Sequence, residues 1–346
     1  MAVQFELQKK LGSGHFGEVW LAADTGLNVV RAVKLILPDK VPNPDNLFCE
    51  AQILKAAEHP NVVCVEETGT MGDGRIYLAM EYLPKGSLDD EAKGAYVELS
   101  RAKALMIDVL RGLEHAHLQG ILHRDIKPAN ILIGESSEGK LSDFGLAVPI
   151  GGDLDALGVK QYAYILHLAP EVWEKDDYSI RSDIYACGVT LYRLVNGDSY
   201  LPILSSPSEI SAQIIKGKFP DRTQYREFVP RPLRMIINKA MHVEPSKRYT
   251  SAQEMRHALE QVVVEKNWQE KILPNGIQWT CGWSRKCYEV KRTCGRDNKW
   301  NVIVQKGRSK HSLRRMNALC EEGLSKQGAE QVTRRILQNF VLGRLD

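Results

Sequence analysis

The chain has 346 residues, 43% of them hydrophobic and 26% charged, which fits one large globular domain with a smaller one attached and excludes collagenous or wholly disordered classes. No apolar run approaches the roughly 18 residues of a membrane span. Residues 1–6 lack the basic start and apolar stretch of a secretory signal, and the seven cysteines form no close pair. A disulfide framework or four-cysteine zinc site is therefore disfavoured, and a reducing, cytoplasmic compartment is expected. The formal charge of +3 is unevenly spread: residues 1–264 carry 29 Lys and Arg against 35 Asp and Glu, a balance of −6, and residues 265–346 carry 17 against 8, a balance of +9. An anionic partner is expected for that basic end, the plain alternative being a solvated basic face.

In chain order, strands are predicted around 5–7, 18–22 and 29–35, with turn residues between them. Residues 45–58 read as a helix that His59-Pro60-Asn61 ends, and strands resume around 62–68 and 75–82. From Ser100 the period becomes helical, with Ala104, Ile107, Val109, Leu110 and Leu113 at three- and four-residue steps, and helices dominate to Glu265. Beyond Trp268 alternation returns. Trp279, Cys281 and Trp283, then Tyr288 and Val290, then Trp300, Val302 and Val304 read as three strands. Two helices are predicted after them, one carrying Leu313, Met316, Cys320 and Leu324, the other Val332, Ile336 and Phe340. The boundary between the two parts falls within 266–275, near the turn Pro274-Asn275-Gly276.

The residues that carry chemistry begin with Gly12-Ser13-Gly14-His15-Phe16-Gly17-Glu18-Val19, a GxGxxGxV run between two strands. Its glycines let backbone amides approach phosphates, although such a run alone is as often a simple turn. A strand follows it rather than a helix, which argues against a dinucleotide-binding fold. Lys34 stands in the apolar strand Arg31-Ala32-Val33-Lys34, where a cation is costly unless paired. It is either an edge lysine reaching water or a cation held against phosphates, and Glu50 in the following helix is its candidate partner. Then comes His123-Arg124-Asp125-Ile126-Lys127-Pro128-Ala129-Asn130-Ile131-Leu132-Ile133, a polar loop bounded by apolar stretches. Asp143-Phe144-Gly145 starts 18 residues past Asp125, and Ala169-Pro170-Glu171 starts 26 residues past Asp143. Asp183 follows in Arg181-Ser182-Asp183-Ile184-Tyr185, and Arg248 in Pro245-Ser246-Lys247-Arg248-Tyr249.

In this order the motifs resemble the eukaryotic-type (Hanks-type) Ser/Thr protein kinase family, over residues 1 to about 264. The resemblance implies an α+β bilobal kinase fold: a β-rich N-lobe with hinge at 1–83 and a helical C-lobe at 84–264, here followed by a basic βββαα appendage at 265–346. It implies ATP and Mg2+ as cofactors and a protein hydroxyl as acceptor. Gly12, Gly14 and Gly17 would cover the phosphates. Lys34, oriented by Glu50, would hold them, Asp125 would accept the proton of the acceptor hydroxyl, and Lys127 would steady the γ-phosphate. A lysine at 127 resembles the Ser/Thr-specific branch. Asn130 and Asp143 would hold the metal. Met80 resembles the gatekeeper, the backbone of Glu81 and Leu83 would bond adenine, and Val19, Ala32 and Leu132 would sandwich its ring. Glu171 and Arg248 resemble a buried structural ion pair.

Other functions remain on the page. A pseudokinase scaffold is disfavoured because every catalytic position is filled. A small-molecule kinase is disfavoured because the segment from Asp143 to Glu171 and the Glu171–Arg248 pair are both present. A partner-activated kinase acting on a nucleic-acid-associated substrate stays open through the basic run Lys306-Gly307-Arg308-Ser309-Lys310-His311-Ser312-Leu313-Arg314-Arg315, predicted at a helix start where anions bind. Trp279, Trp283, Tyr288 and Trp300 nearby could stack on bases or form a small core. The chain departs from the family in having no Ser or Thr between Asp143 and Glu171, although Arg124, which would receive a loop phosphate, is present. Asp153 or Asp155 could supply fixed charge, Tyr162 or Tyr164 could be phosphorylated, or a partner could set activity. Tyr164 stands where Ser/Thr-specific members carry threonine, which leaves tyrosine autophosphorylation open. His115 and His117 are read as finishing a helix, and Cys281, Cys287 and Cys294 as core or surface thiols rather than zinc ligands.

Overall fold

The structure, a computed structural model, describes residues 5–14, 17–36, 49–144, 147–149, 165–203, 206–283 and 286–345, with only the backbone described at 49, 50, 148, 149 and 283. Five strands, β1 (Phe5–Gly14), β2 (Gly17–Asp24), β3 (Val29–Ile36), β4 (Val65–Thr70) and β5 (Ile76–Glu81), form an antiparallel sheet in the order β1-β2-β3-β5-β4. The Asp24 carboxylate accepts from the backbone N–H groups of Gly26 and Leu27 (both 3.0 Å), which closes the β2–β3 turn. Alternation along the strands sends Ala22, Val33, Leu35, Tyr77 and Ala79 to one small core. Leu78 points the other way, into a core shared with helix α1 (Cys49–Ala56) and the second lobe.

The second lobe is built on helices, with α2 (Leu88–Ala92) at its start. Helix α3 (Leu99–Leu118) buries Leu105, Met106, Val109, Leu110 and Leu113 along one stripe. Helix α5 (Ile180–Asn196) is buried on every side from Ser182 to Asn196, as a central helix must be. Around it lie α4 (Pro170–Lys175), α6 (Pro207–Ile215), α7 (Arg231–Ala240) and α8 (Ala252–Glu260). Ser87, Ser206 and Ser251 cap α2, α6 and α8 by accepting from the N–H three residues on. Two short ladders carry the loops of the site: β6 (Ile121–Leu122) pairs with β9 (Val148–Pro149), and β7 (Ile131–Ile133) with β8 (Gly139–Leu141).

Glu171 and Arg248 meet in a two-pronged ion pair, 2.7 Å at each prong. The remaining guanidinium donors go to the carbonyls of His242, Arg181 and Val243, so all five N–H groups are used. Removing one partner leaves the other buried and unpaired. Arg248→Met should therefore lower stability by about 3–5 kcal/mol. An unchanged urea midpoint would contradict this.

The C-terminal part departs from its predicted order. Strands β10 (Gln269–Leu273), β11 (Gly276–Trp283), β12 (Lys286–Cys294), β13 (Trp300–Gly307), β14 (Arg314–Arg315) and β15 (Glu321–Leu324) form one sheet, covered by a single helix, α9 (Lys326–Val341). The turn at Pro274-Asn275 lies where expected, joining β10 to β11. The helix predicted around Leu313, Met316, Cys320 and Leu324 is instead β14, a 3-10 turn (Asn317–Leu319) and β15. The free edge of β13 explains the difference: Met316 N–H donates to Val304 O (2.8 Å), and Trp300 pairs with Leu324. Gly323 takes a positive φ of 72° within that return. The expected βββαα pattern is thus corrected to six strands and one helix. Trp268, Trp279, Tyr288, Val290, Val304 and Phe340 fill the space beneath the sheet, continuous with the core of the helical lobe. Among the described residues no helix is long and apolar enough to cross a membrane.

Candidate active site

Strand register gathers the first group of predicted site residues. Gly12 pairs with Val19, Val19 with Lys34, and Lys34 with Leu78, so they form one row across β1, β2, β3 and β5. Gly14 pairs with Gly17, and Ala32 with Met80. The two testable glycines differ in what demands them. A Cβ on Gly17 would lie 2.0 Å from Leu35 O, so backbone packing alone excludes a side chain there. A Cβ on Gly12 would meet no atom of the described residues within 4 Å, so among them the space above it is open to a ligand.

Lys34 is buried, and its Nζ lies 3.0 Å from Asp143 Oδ1, an ion pair spanning 109 residues and both lobes. The field of Lys34 holds the Asp143 carboxyl below its ordinary value. Asp143 has a φ of 58°, a left-handed backbone that turns its carboxylate out of the loop. Glu50 sits in the first turn of α1, as predicted, and its side chain lies outside the described residues. The predicted loop positions Asp153, Asp155, Tyr162 and Tyr164 lie outside them too.

The second group is the loop after β6. Lys127 Nζ lies 2.7 Å from Asp125 Oδ2. The Asn130 amide donates to the Asp125 carbonyl (2.8 Å) and to its Oδ2 (2.9 Å). These contacts fix the Asp125 carboxylate, and the Asn130 backbone carbonyl accepts from the N–H (2.9 Å) and hydroxyl (3.1 Å) of Ser142. Glu81 ends β5 with its carboxylate on Lys140 (2.8 and 2.9 Å) and on the Cys64 N–H (2.7 Å), which ties the two lobes together at this point. Leu83 follows, its carbonyl accepting from Gly86 N–H. Leu132 lies on β7 opposite Lys140, and bridges to Ser87.

Asp183 received no role from the sequence, yet it holds this loop. Its carboxylate accepts the backbone N–H groups of His123 and Arg124, both at 2.9 Å, and lies 2.9 Å from His117 Nε2. Burial opposes its ionisation, but His117 and the backbone donors outweigh that and keep the carboxyl below its ordinary value. A carboxylate in the first turn of the buried central helix α5 was the available signal. His117 does end α3, as predicted, and also serves Asp183. Arg124 stacks on the ring of Tyr178 at 3.8 Å, a contact that no spacing in the sequence announced.

His123 and His167 flank the loop from below. His123 packs on Phe144 and lies 3.1 Å from Ser142 O, and His167 Nδ1 lies 2.9 Å from Ile126 O. Burial pushes both imidazoles below the ordinary 6.5, with Arg193 adding to the effect at His167. Their share of stability is present above pH 6.5 and is lost as pH falls toward the depressed folded values, because only the unfolded chain then takes up the protons. The urea midpoint should therefore decline between pH 7 and pH 5.5, less steeply in His167→Gln. Equal slopes in the two proteins would contradict this.

The basic run near the C-terminus is not at a helix start. Its residues lie on β13, an exposed turn held by Ser309 and Ser312, and β14. Arg315 pairs with Glu322. Trp279 and Tyr288 are fully buried, so they are core residues and present no stacking surface.

Known proteins match the larger part of the chain. Residues 5–260 match the family model described as a protein kinase domain. "Serine/threonine-protein kinase PknJ" of Mycobacterium tuberculosis is 31% identical over 265 residues, 73% of this chain and 44% of that protein. "Serine/threonine-protein kinase PknB" of Mycobacterium leprae is 33% identical over 264 residues, 73% of this chain and 42% of that protein. "Calcium/calmodulin-dependent protein kinase type 1B" of Rattus norvegicus is 32% identical over 261 residues, 73% of this chain and 74% of that protein. The chain thus spans less than half the length of the two mycobacterial relatives. With a strand-rich lobe over a helical one, and with the motif residues gathered between them, the chain belongs to the protein kinase family.

Proposed function

We propose that the chain is an ATP- and Mg2+-dependent serine/threonine protein kinase that transfers a γ-phosphoryl group to a protein hydroxyl. The observation that carries this reading is the Lys34–Asp143 pair at 3.0 Å, which sets a cation of one lobe beside a carboxylate of the other, above the Asp125–Lys127–Asn130 cluster. The Ser/Thr assignment rests on the names of the relatives and on Lys127. A protein kinase domain implies ATP and a divalent metal in general. The donor set suits a hard cation: a carboxylate at Asp143 and a side-chain carbonyl oxygen at Asn130. The open space above Gly12 suits a phosphate chain approached by backbone amides.

When bound, ATP would supply the phosphoryl group and the divalent cation would neutralise the negative charge that develops on it. The chain's own residues supply position and charge. Gly12, Gly14 and Gly17 cover the phosphates, Lys34 holds them with Glu50 orienting it, and Asn130 and Asp143 hold the metal. Val19, Ala32 and Leu132 enclose the adenine beside Met80, and the backbone of Glu81 and Leu83 bonds its edge. Asp125 accepts the proton of the acceptor hydroxyl, and Lys127, 2.7 Å from it, steadies the group in transit. We divide the chain into a first lobe with hinge at 1–83, a second lobe at 84–264 and a basic appendage at 265–346, and assign the appendage to an anionic regulator or substrate. The free thiols of Cys64, Cys187, Cys281, Cys287, Cys294 and Cys320 support a reducing, cytoplasmic compartment. Labelled ATP with Mg2+ should place label on serine or threonine of a protein acceptor, and chelation with EDTA should stop it. Transfer that persists in EDTA would contradict the metal assignment.

A further inference from the structure

Away from the cleft, helices α7, α8 and α9 enclose an open groove of about 820 Å³. Two of these helices belong to the kinase domain and the third to the C-terminal part, so the groove exists only where the two meet. Its floor is apolar, formed by Met235, Ile236, Tyr249, Val262 and Leu342. Met235 leaves 60% of its surface exposed there and adjoins Ile236, Tyr249 and Leu342, so the exposed apolar surface is a contiguous patch rather than a lone side chain. Its rim is basic, with Arg231, Lys239, Arg335 and Arg344 and no acidic lining residue. Lys239 pairs with Glu254 and Arg335 with Glu321, each at 2.8 Å, whereas Arg231 and Arg344 have no carboxylate partner among the described residues.

The surroundings reinforce this polarity. Helix α7 starts without a side-chain cap and without an acidic residue in its first turn, and Arg231 and Arg234 stand there instead. That is the reverse of what the helix dipole favours. The Nε of Arg234 is buried without a hydrogen-bond partner. Burial, with the like charges of Arg334 and Arg231, depresses the proton affinity of its guanidinium. An enclosed pocket with converging polar groups would mark a small ligand. An open trough with an apolar floor and charges at exposed rim positions fits a chain that is apolar on one side and acidic on the other.

We propose that this groove docks an acidic, amphipathic peptide segment of a protein partner, its apolar side chains against Met235, Ile236 and Leu342 and its carboxylates on Arg231 and Arg344. The docking needs no step of phosphoryl transfer, so the two readings fail separately. The test selects a displayed library of random peptides of about 16 residues, about four helical turns, against the full chain. Enriched peptides should combine Asp or Glu with large apolar residues and weaken with added salt. They should bind the Arg231→Glu/Arg344→Glu variant at least about tenfold less tightly, because like charges then face each other. Met235→Glu, at an exposed position, should weaken them equally, with autophosphorylation of both variants unchanged and neither variant unfolding at a lower temperature than the parent. The proposal is overturned if no peptide is enriched, if those enriched carry no acidic bias, or if they bind both variants as well as the parent. It is also overturned if the groove instead binds single-stranded RNA that the arginine variant releases.

Discussion

Asp125→Ala should slow phosphoryl transfer by about 10²- to 10⁴-fold, the usual contribution of a positioned acid–base group. The affinity for ATP should change little, because the residues assigned to the nucleotide lie on β1, β2, β3, β5 and β7, at Leu83 just past β5, and at Asn130 and Asp143, and Asp125 is not among them. Asp125→Asn is the sharper version. It keeps the shape that Lys127 and Asn130 pack against (2.7 and 2.9 Å) but cannot take a proton. Binding of a fluorescent ATP analogue, measured beside initial rates, separates the two effects. A variant that retained more than about a tenth of the parent rate would remove Asp125 from the mechanism.

Ending the chain at residue 264 should have the largest effect on stability. The C-terminal part shares the helical lobe's core: Trp268 is fully buried, and its indole N–H donates to Leu337 O (3.2 Å). The Tyr96 hydroxyl donates to Trp268 O (3.2 Å) and accepts from Glu270 N–H (2.8 Å), and Asn267 accepts from the Ser100 backbone N–H at 3.0 Å. Arg226 pairs with Glu270 at 2.6 Å, and Arg292 pairs with Glu227. Truncation would uncover this apolar face of the lobe and leave Arg226 and Glu227 without those partners. The shortened chain should aggregate or lose its cooperative unfolding transition. Trp268→Ala in the full chain should lower stability by about 3–5 kcal/mol. A truncated chain with the parent's urea midpoint would mean that the C-terminal part is only appended.

The kinase half was legible because its signals are local and chemical. The glycine run, Lys34, the loop from His123 to Asn130 and Asp143 each announce themselves by residue type in a fixed order; the direct pair of Lys34 with Asp143 is a contact that order did not specify, since Glu50 was the expected partner. Helix α3 follows from its apolar period alone. What stayed hidden depends on long-range contacts. Asp183 works by accepting N–H groups 60 and 59 residues away, and Tyr178 by lying under Arg124. The stretch from Leu313 to Leu324 has helical spacing, but hydrogen bonds to the edge of β13 decide its form. The alternation of Trp279 and Tyr288 gave the strands correctly. It could not say that the same aromatics would be buried beneath α9 and the helical lobe rather than offered to a partner.

The most direct test offers the full chain labelled ATP and Mg2+ with a panel of acceptors: peptides containing serine, threonine or tyrosine, RNA, and small alcohols. The account predicts label on serine and threonine peptides, lost in Asp125→Asn. Nucleotide binding without transfer to any acceptor, or label confined to tyrosine or RNA, would contradict it.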